Sequence, residues 1–213
     1  MKIALLNENS QAAKNGAIEN ALRTVVEPKG FEVVNYGMYG LEDTVSLTYV
    51  QLGILAALLL NSKACDYVIT GCGTGEGAML ALNSFSNVIC GHVEDALDAY
   101  TFTQINDGNA IALPFAKGYG WGGELNLEYI FEKLFIEEGG LGYPRERAGV
   151  MKQNREILDD VRKISIRDFK EVLPELPKEL VKSALSHENF MEYFDRDCQD
   201  DEYRQIVAKI LSE

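Results

Sequence analysis

Strand and helix signals alternate through the first two-thirds of this 213-residue chain, and that alternation leaves few folds open to it. Residues 2–7 form a short apolar strand pattern. Over 15–27 the apolar residues Ala17, Ile18, Ala21, Leu22 and Val25 recur at helical spacing, and Pro28-Lys29-Gly30 stops the helix. Strand patterns over 31–36, 65–70, 87–91 and 110–114 follow. Helical patterns over 44–61, 78–83, 94–103 and 124–135 lie between and after them. About five β-α units predict a three-layer α/β/α sandwich around a five-stranded parallel, Rossmann-like sheet. Right-handed crossovers then gather the strand-to-helix loops at the carboxyl edge of the sheet, where open α/β sheets bind ligands. Those loops are 8–11, 72–77, the neighbourhood of His92, and 115–118.

The third loop carries the strongest chemistry. Gly71-Cys72-Gly73-Thr74-Gly75-Glu76-Gly77 joins a buried-looking strand to a helix. Glycines let a ligand approach the backbone, so such a turn aims several N–H groups at one point. Cys72 lies beside those donors, where free amides and the helix dipole favour a thiolate base or nucleophile. Its plain alternative is a small residue packed under a turn. Glu76 is the second candidate base, if partial burial raises its carboxyl pKa; otherwise it only complements the helix N-terminus. The glycine spacing is not that of a dinucleotide fingerprint, and it stands in the third unit instead of the first.

Composition narrows the partners. The formal net charge is −13, from 20 basic and 33 acidic residues, which argues against a nucleic-acid binder or an acidic membrane surface. The longest apolar run, 52–60, is far short of a bilayer span, and the N-terminal run is too short for a signal peptide. Four cysteines without C-x-x-C spacing suggest neither disulfides nor a zinc site, and so a cytoplasmic protein. A small phosphorylated substrate needs only a few local cations. Lys117 after the fifth strand, and Arg145 and Arg147 after the Gly139–Pro144 linker, are candidates, with surface ion pairs as their default. His92 could act as acid or base near neutrality. Asn106 stands in a polar turn, Asn106-Asp107-Gly108-Asn109, whose residue types also suit a plain turn. From about residue 148 the chain is charged and helical. We read 1–147 as the α/β domain and 148–213 as a helical extension packing on the core or on a second subunit.

These segments resemble a known family, the sugar-phosphate isomerases that group type B ribose-5-phosphate isomerase with the galactose-6-phosphate isomerase subunits. The resemblance spans roughly residues 1–150. It rests on the opening strand with its polar tip, Cys72-Gly73-Thr74-Gly75-Glu76-Gly77, the strand Val88-Ile89-Cys90, the Asn106–Asn109 turn, and the basic residues after the last core helix. It implies an aldose–ketose isomerase of a phosphorylated sugar, working without metal or cofactor. It also implies a homodimer or homotetramer with sites at the subunit interface. By this similarity Cys72 moves the proton between C1 and C2, and Gly73, Thr74, Gly75 and Gly77 bind the enediolate oxygens. Some members use a glutamate at the position of Glu76, so both bases stay open. Glu8 and Asn9 stand where members usually have an Asp-His pair, and with Asn106, Lys117, Arg145 and Arg147 they complete the implied substrate site. The histidine that opens the sugar ring is replaced here by Ile105; His92 is the candidate substitute. The rival readings are a non-catalytic sugar-phosphate-binding module on the same fold and a cysteine hydrolase.

Overall fold

In the computed structural model, residues 1–187 and 189–213 are described. Five strands, β1 (Lys2–Leu6), β2 (Glu32–Asn35), β3 (Tyr67–Cys72), β4 (Cys90–His92) and β5 (Ala110–Pro114), form one parallel sheet in the order β2-β1-β3-β5-β4. The first helices are α1 (Asn15–Val26), α2 (Tyr49–Asn61), α3 (Glu76–Asn83), α4 (Ala96–Thr101) and α5 (Gly123–Leu134). Side chains alternate across each strand, which sorts the core in two. Ile3, Leu5, Ile69 and Ile111 pack with α1 and α5; Ala4, Leu6, Val68 and Ala112 pack with α2 and α3. The strand order reverses between β1 and β3, so a crevice opens beyond their carboxyl ends.

The extension consists of α6 (Ala148–Ser165), α7 (Phe169–Val172), α8 (Lys178–Leu185), α9 (Phe190–Asp197) and α10 (Asp201–Ser212). Its Phe169, Val181, Phe190, Phe194, Tyr203 and Val207 join the same buried cluster as α2. This explains the composition of α2, a helix apolar on nearly every side, which has the sheet on one flank and the extension on the other. Each leucine fully buried there contributes about 2 kcal/mol. Helix α6 differs, having no buried residue.

Several boundaries depart from the sequence reading, with local causes. Strand β3 runs on to Cys72 instead of ending at Thr70, because Gly71 and Cys72 pair with Leu113 and Pro114. Helix α2 starts at Tyr49, not at 44, because Thr48 and Gln51 form a capping box. Residues 44–48 therefore stay in a loop at the carboxyl edge. His92 is the last residue of β4, not part of the loop after it. The fourth helix passes at Phe102 into a π-helical turn that ends at Asn106, with Asp107 left-handed at φ 49°. No helix among the described residues is long and apolar enough to cross a membrane.

Candidate active site

The crevice beyond β1 and β3 holds the glycine turn. Cys72 is buried, and its Sγ accepts a hydrogen bond from the Gly75 N–H at 3.2 Å. The turn is tied to β5 as well: Phe115 N–H donates to the Cys72 carbonyl and Ala116 N–H to that of Gly73, both at 2.9 Å. Burial pushes the pKa of the Cys65 and Cys90 thiols up. All four cysteines are free.

Gly75 needs to be glycine for two reasons. Its φ is +79°, and a Cβ there would stand 2.7 Å from His92 Nε2 and 3.0 Å from the Leu113 carbonyl carbon. Replacing it with alanine should cost about 2 kcal/mol through left-handed strain and displacement of His92. A urea midpoint unchanged from wild type would contradict this.

His92 reaches the turn but is committed to it. Its Nε2 lies 2.8 Å from the Thr74 carbonyl, a contact in which the ring nitrogen must donate. Its Nδ1 is 3.8 Å from a Glu94 carboxylate oxygen. The ring thus holds the turn in place, which differs from a free ring-opening acid. Glu76 is the first residue of α3, and its side chain is 61% exposed and 3.6 Å from Lys117 Nζ. The partial burial that its role as a base requires is therefore missing. Lys117 is exposed and bonds Glu94 at 3.0 Å; that hydrogen bond, outweighing desolvation, pushes its pKa up.

The loop after β1 forms a neighbouring wall. Glu8 is buried and caps the 3₁₀ turn over Asn9–Lys14, accepting the Ser10 N–H at 3.0 Å and the Ser10 hydroxyl. Asn9 bonds the 44–48 loop, through its side chain to Ser46 Oγ at 2.8 Å and its N–H to the Leu47 carbonyl at 2.9 Å. The same loop leads to Tyr49, whose ring would lie 3.4 Å from a Cβ on Gly77. His187, read from sequence as structural or exposed, is only 1% exposed and holds Asp43 at 3.1 Å. The extension thereby grips this wall of the crevice. Lys14 was not a sequence candidate. Its Nζ donates to the Phe115 carbonyl and to Gln11 Oε1, and lies 4.7 Å from the Tyr119 ring centre. It has no carboxylate partner among the described residues. Its place at the end of the loop that begins with Glu8 was the available signal.

Asn106, Arg145 and Arg147 are not brought to Cys72 within one chain. Asn106 precedes β5, at the amino edge of the sheet, and five strand residues put roughly 15 Å between the two edges. Arg155 of α6 donates to the Asn106 and Asp107 carbonyls there. Arg145 is exposed and paired with Glu137, and Arg147 is exposed close by. Among the described residues, no group of three or more His, Cys, Asp or Glu side chains could hold a metal ion.

A family model described as ribose/galactose isomerase matches residues 3–133, and a second, described as ribose-5-phosphate isomerase, matches 164–210. Comparison with curated proteins gives no match. Among solved structures, a 4-deoxy-L-threo-5-hexosulose-uronate ketol-isomerase complexed with a tartrate is 54% identical, with TM-score 0.97 and 100% of each chain covered. A ribose-5-phosphate isomerase from Vibrio parahaemolyticus is 48% identical, with TM-score 0.95 and 99% of each chain covered. The type B ribose 5-phosphate isomerase of Trypanosoma brucei, 21% identical with TM-score 0.63, shares the fold over 75% of this chain and 97% of its own. A buried thiol in a glycine turn at the sheet's switch point, together with these full-length relatives, identifies the chain as a member of the ribose/galactose isomerase family and a sugar isomerase.

Proposed function

We propose that this protein is a ketol-isomerase of a small acidic sugar, using Cys72 as the base that moves a proton between C1 and C2 through an enediolate. The observation that carries this reading is the Cys72 thiol, held at 3.2 Å from the Gly75 amide in the glycine turn at the carboxyl end of β3. The thiolate removes the C2 proton, the electron pair forms the C1=C2 bond, and charge develops on the carbonyl oxygen. The amides of 73–77 stabilise that oxygen, and the thiol returns the proton to C1.

For the acidic group, two substrate classes are in play. A carboxylated keto-sugar of the 4-deoxy-L-threo-5-hexosulose-uronate kind is the first, supported by the 54% identical relative. The cations support it too: Lys117 is engaged by Glu94 and Glu76, and Arg145 by Glu137, whereas Lys14 offers one charge free of carboxylate partners, a match for one carboxylate. An open-chain substrate would also need no ring-opening group at Ile105. The second class is a phosphorylated sugar of the ribose 5-phosphate or galactose 6-phosphate type, supported by the family description and the 48% identical relative. In either case we assign Asn106, Arg145 and Arg147 to the site of a partner copy, since they stand at the opposite sheet edge. A homodimer or larger assembly is supported by α6, whose Val150, Ile157, Val161 and Ile164 are exposed. The free cysteines support a cytoplasmic location.

The test is a panel in D₂O: the uronate, ribose 5-phosphate and galactose 6-phosphate, followed by NMR for product and deuterium incorporation. Turnover of the uronate at least about 100-fold above the phosphates, roughly 3 kcal/mol of discrimination, is expected. Faster turnover of a phosphate would reverse the substrate order, and no incorporation with any sugar would remove the isomerase mechanism.

A further inference from the structure

A ketol exchange moves two protons: one between carbons, which Cys72 serves, and one between oxygens, for which no group has yet been named. The geometry points to Ser10, backed by Glu8, as the carrier of that second proton; this rests on the ketol-isomerase reading above.

The placement follows from the register. Leu6 of β1 pairs with Thr70 of β3, and Glu8 continues in extended conformation at φ −113° and ψ −176°. Two residues past the last pair, Glu8 draws level with Cys72. Alternation puts Glu8 on the face shared by Ala4, Leu6, Val68 and Cys72. Neighbouring strands lie about 5 Å apart, so the carboxylate and the thiol start from adjacent positions at one mouth. Glu8 is 4% exposed and has no cationic partner among the described residues. Both of its oxygens are spent on Ser10, one on the N–H and one on the hydroxyl. Ser10 is exposed, and its Oγ would lie 3.8 Å from a Cβ on Gly73. The hydroxyl therefore spans the gap between a buried carboxylate and the glycine turn.

A buried carboxylate without a cation is costly unless hydrogen bonds hold it, and here they fix a hydroxyl that borders the reacting oxygens. When Cys72 has taken the C2 proton, the C1 carbonyl electrons move onto O1. Ser10 takes the proton of the O2 hydroxyl as its own passes to the Glu8 carboxylate that already accepts it, and then gives a proton to O1 as Glu8 returns the one it holds. The O2 electrons then form the C2 carbonyl as C1 takes the proton from the Cys72 thiol. Serine and Glu8 both end as they began, and the sugar has changed from aldose to ketose with no other reactant. Glu8 is a positioning residue in this scheme and does not touch the sugar.

The experiment compares wild type with Ser10→Ala and Ser10→Thr in D₂O, on the panel sugar that wild type turns over. It reads deuterium entering the unreacted substrate against product formed. Without the hydroxyl, the enediolate forms and is reprotonated where it started. Ser10→Ala should thus keep exchange within a few-fold of wild type while product formation falls about 100-fold. Ser10→Thr, which retains a hydroxyl, should restore the wild-type ratio. An unchanged exchange-to-product ratio in Ser10→Ala overturns the relay alone. Loss of exchange and product together in both variants also overturns it, as that assigns Ser10 to the shape of the loop. No exchange or product with wild type on any sugar overturns the isomerase reading, and the relay with it.

Discussion

Cys72→Ala is expected to lower kcat by about 10³-fold or more, because general base catalysis at carbon is lost with the only thiol in the turn. The fold should persist. Alanine fits the buried end of β3, and the strand pairing of Cys72 with Pro114 runs through the backbone. A transition-state role predicts that kcat and kcat/KM fall together, with little change in substrate affinity. Cys72→Ser is the sharper variant. It keeps an acceptor for the Gly75 N–H but replaces the thiol by a far weaker acid, so it should be nearly as inactive. Glu76→Gln gives the contrast. The carboxylate is exposed and shared with Lys117, and its removal should cost less than about tenfold, as for other exposed ion pairs. If Glu76→Gln abolished turnover and Cys72→Ala did not, the base would be the glutamate, and the chain would follow the other branch of its family.

Asp197→Ala should be the most destabilising single change outside the core, by about 3–5 kcal/mol, which is the cost of breaking a buried, hydrogen-bonded charge cluster. Asp197 ends α9, and its side chain is only 4% exposed. It accepts the Tyr36 hydroxyl at 2.6 Å and Arg196 Nη2 at 2.6 Å, and pairs with Lys2 Nζ at 2.5 Å. The carboxylate thus joins the extension to β1 and to the residue after β2. Removing it strands the Tyr36 hydroxyl, which is buried, and leaves Lys2, among the described residues, with only the more distant Glu32 carboxylate. A drop in thermal midpoint of roughly 10 °C is expected for a domain of this size. Burial by itself would push the Asp197 carboxyl pKa up, but the hydrogen bonds from Arg196, Lys2 and Tyr36 outweigh it and hold the group well below the carboxylate range. Burial and then the hydrogen bond to Asp197 push the Tyr36 phenol up. The folded carboxyl pKa is lower than the unfolded one, so its stabilisation is complete above about pH 4 and declines as the pH falls below that. Urea midpoints measured from pH 7 to pH 2 should converge for wild type and Asp197→Asn at the acid end. Parallel curves would show that the cluster adds no pH-dependent stability.

Much of the candidate site was legible from residue order. The rule that strand-to-helix loops share one edge put 8–11, 72–77 and 115–118 together, and the structure joins them through Phe115, Ala116 and Ser10. The same rule sets Asn106 at the opposite edge, since it stands before β5, so its place in a shared site rests on a partner copy. Glu76 shows the limit of the pattern. A carboxylate at a helix start reads alike whether buried or exposed, and only packing makes it a base or a surface ion-pair member. His92 carries the same lesson, because its role depends on the Thr74 carbonyl, 18 residues away in sequence.

Periodicity, the glycine turn and the charge balance are local or additive properties. They were enough to establish the strand–helix order, the position of the glycine turn and the acidic character of the chain. The approach of Ser10 to Gly73, the grip of His187 on Asp43 and the bond of Tyr36 to Asp197 are of another kind. Each joins residues 63, 144 or 161 positions apart. Such pairs are selected by sheet register and by the docking of the extension on α2, where many weak contacts must agree at once and no short window of residues carries the result.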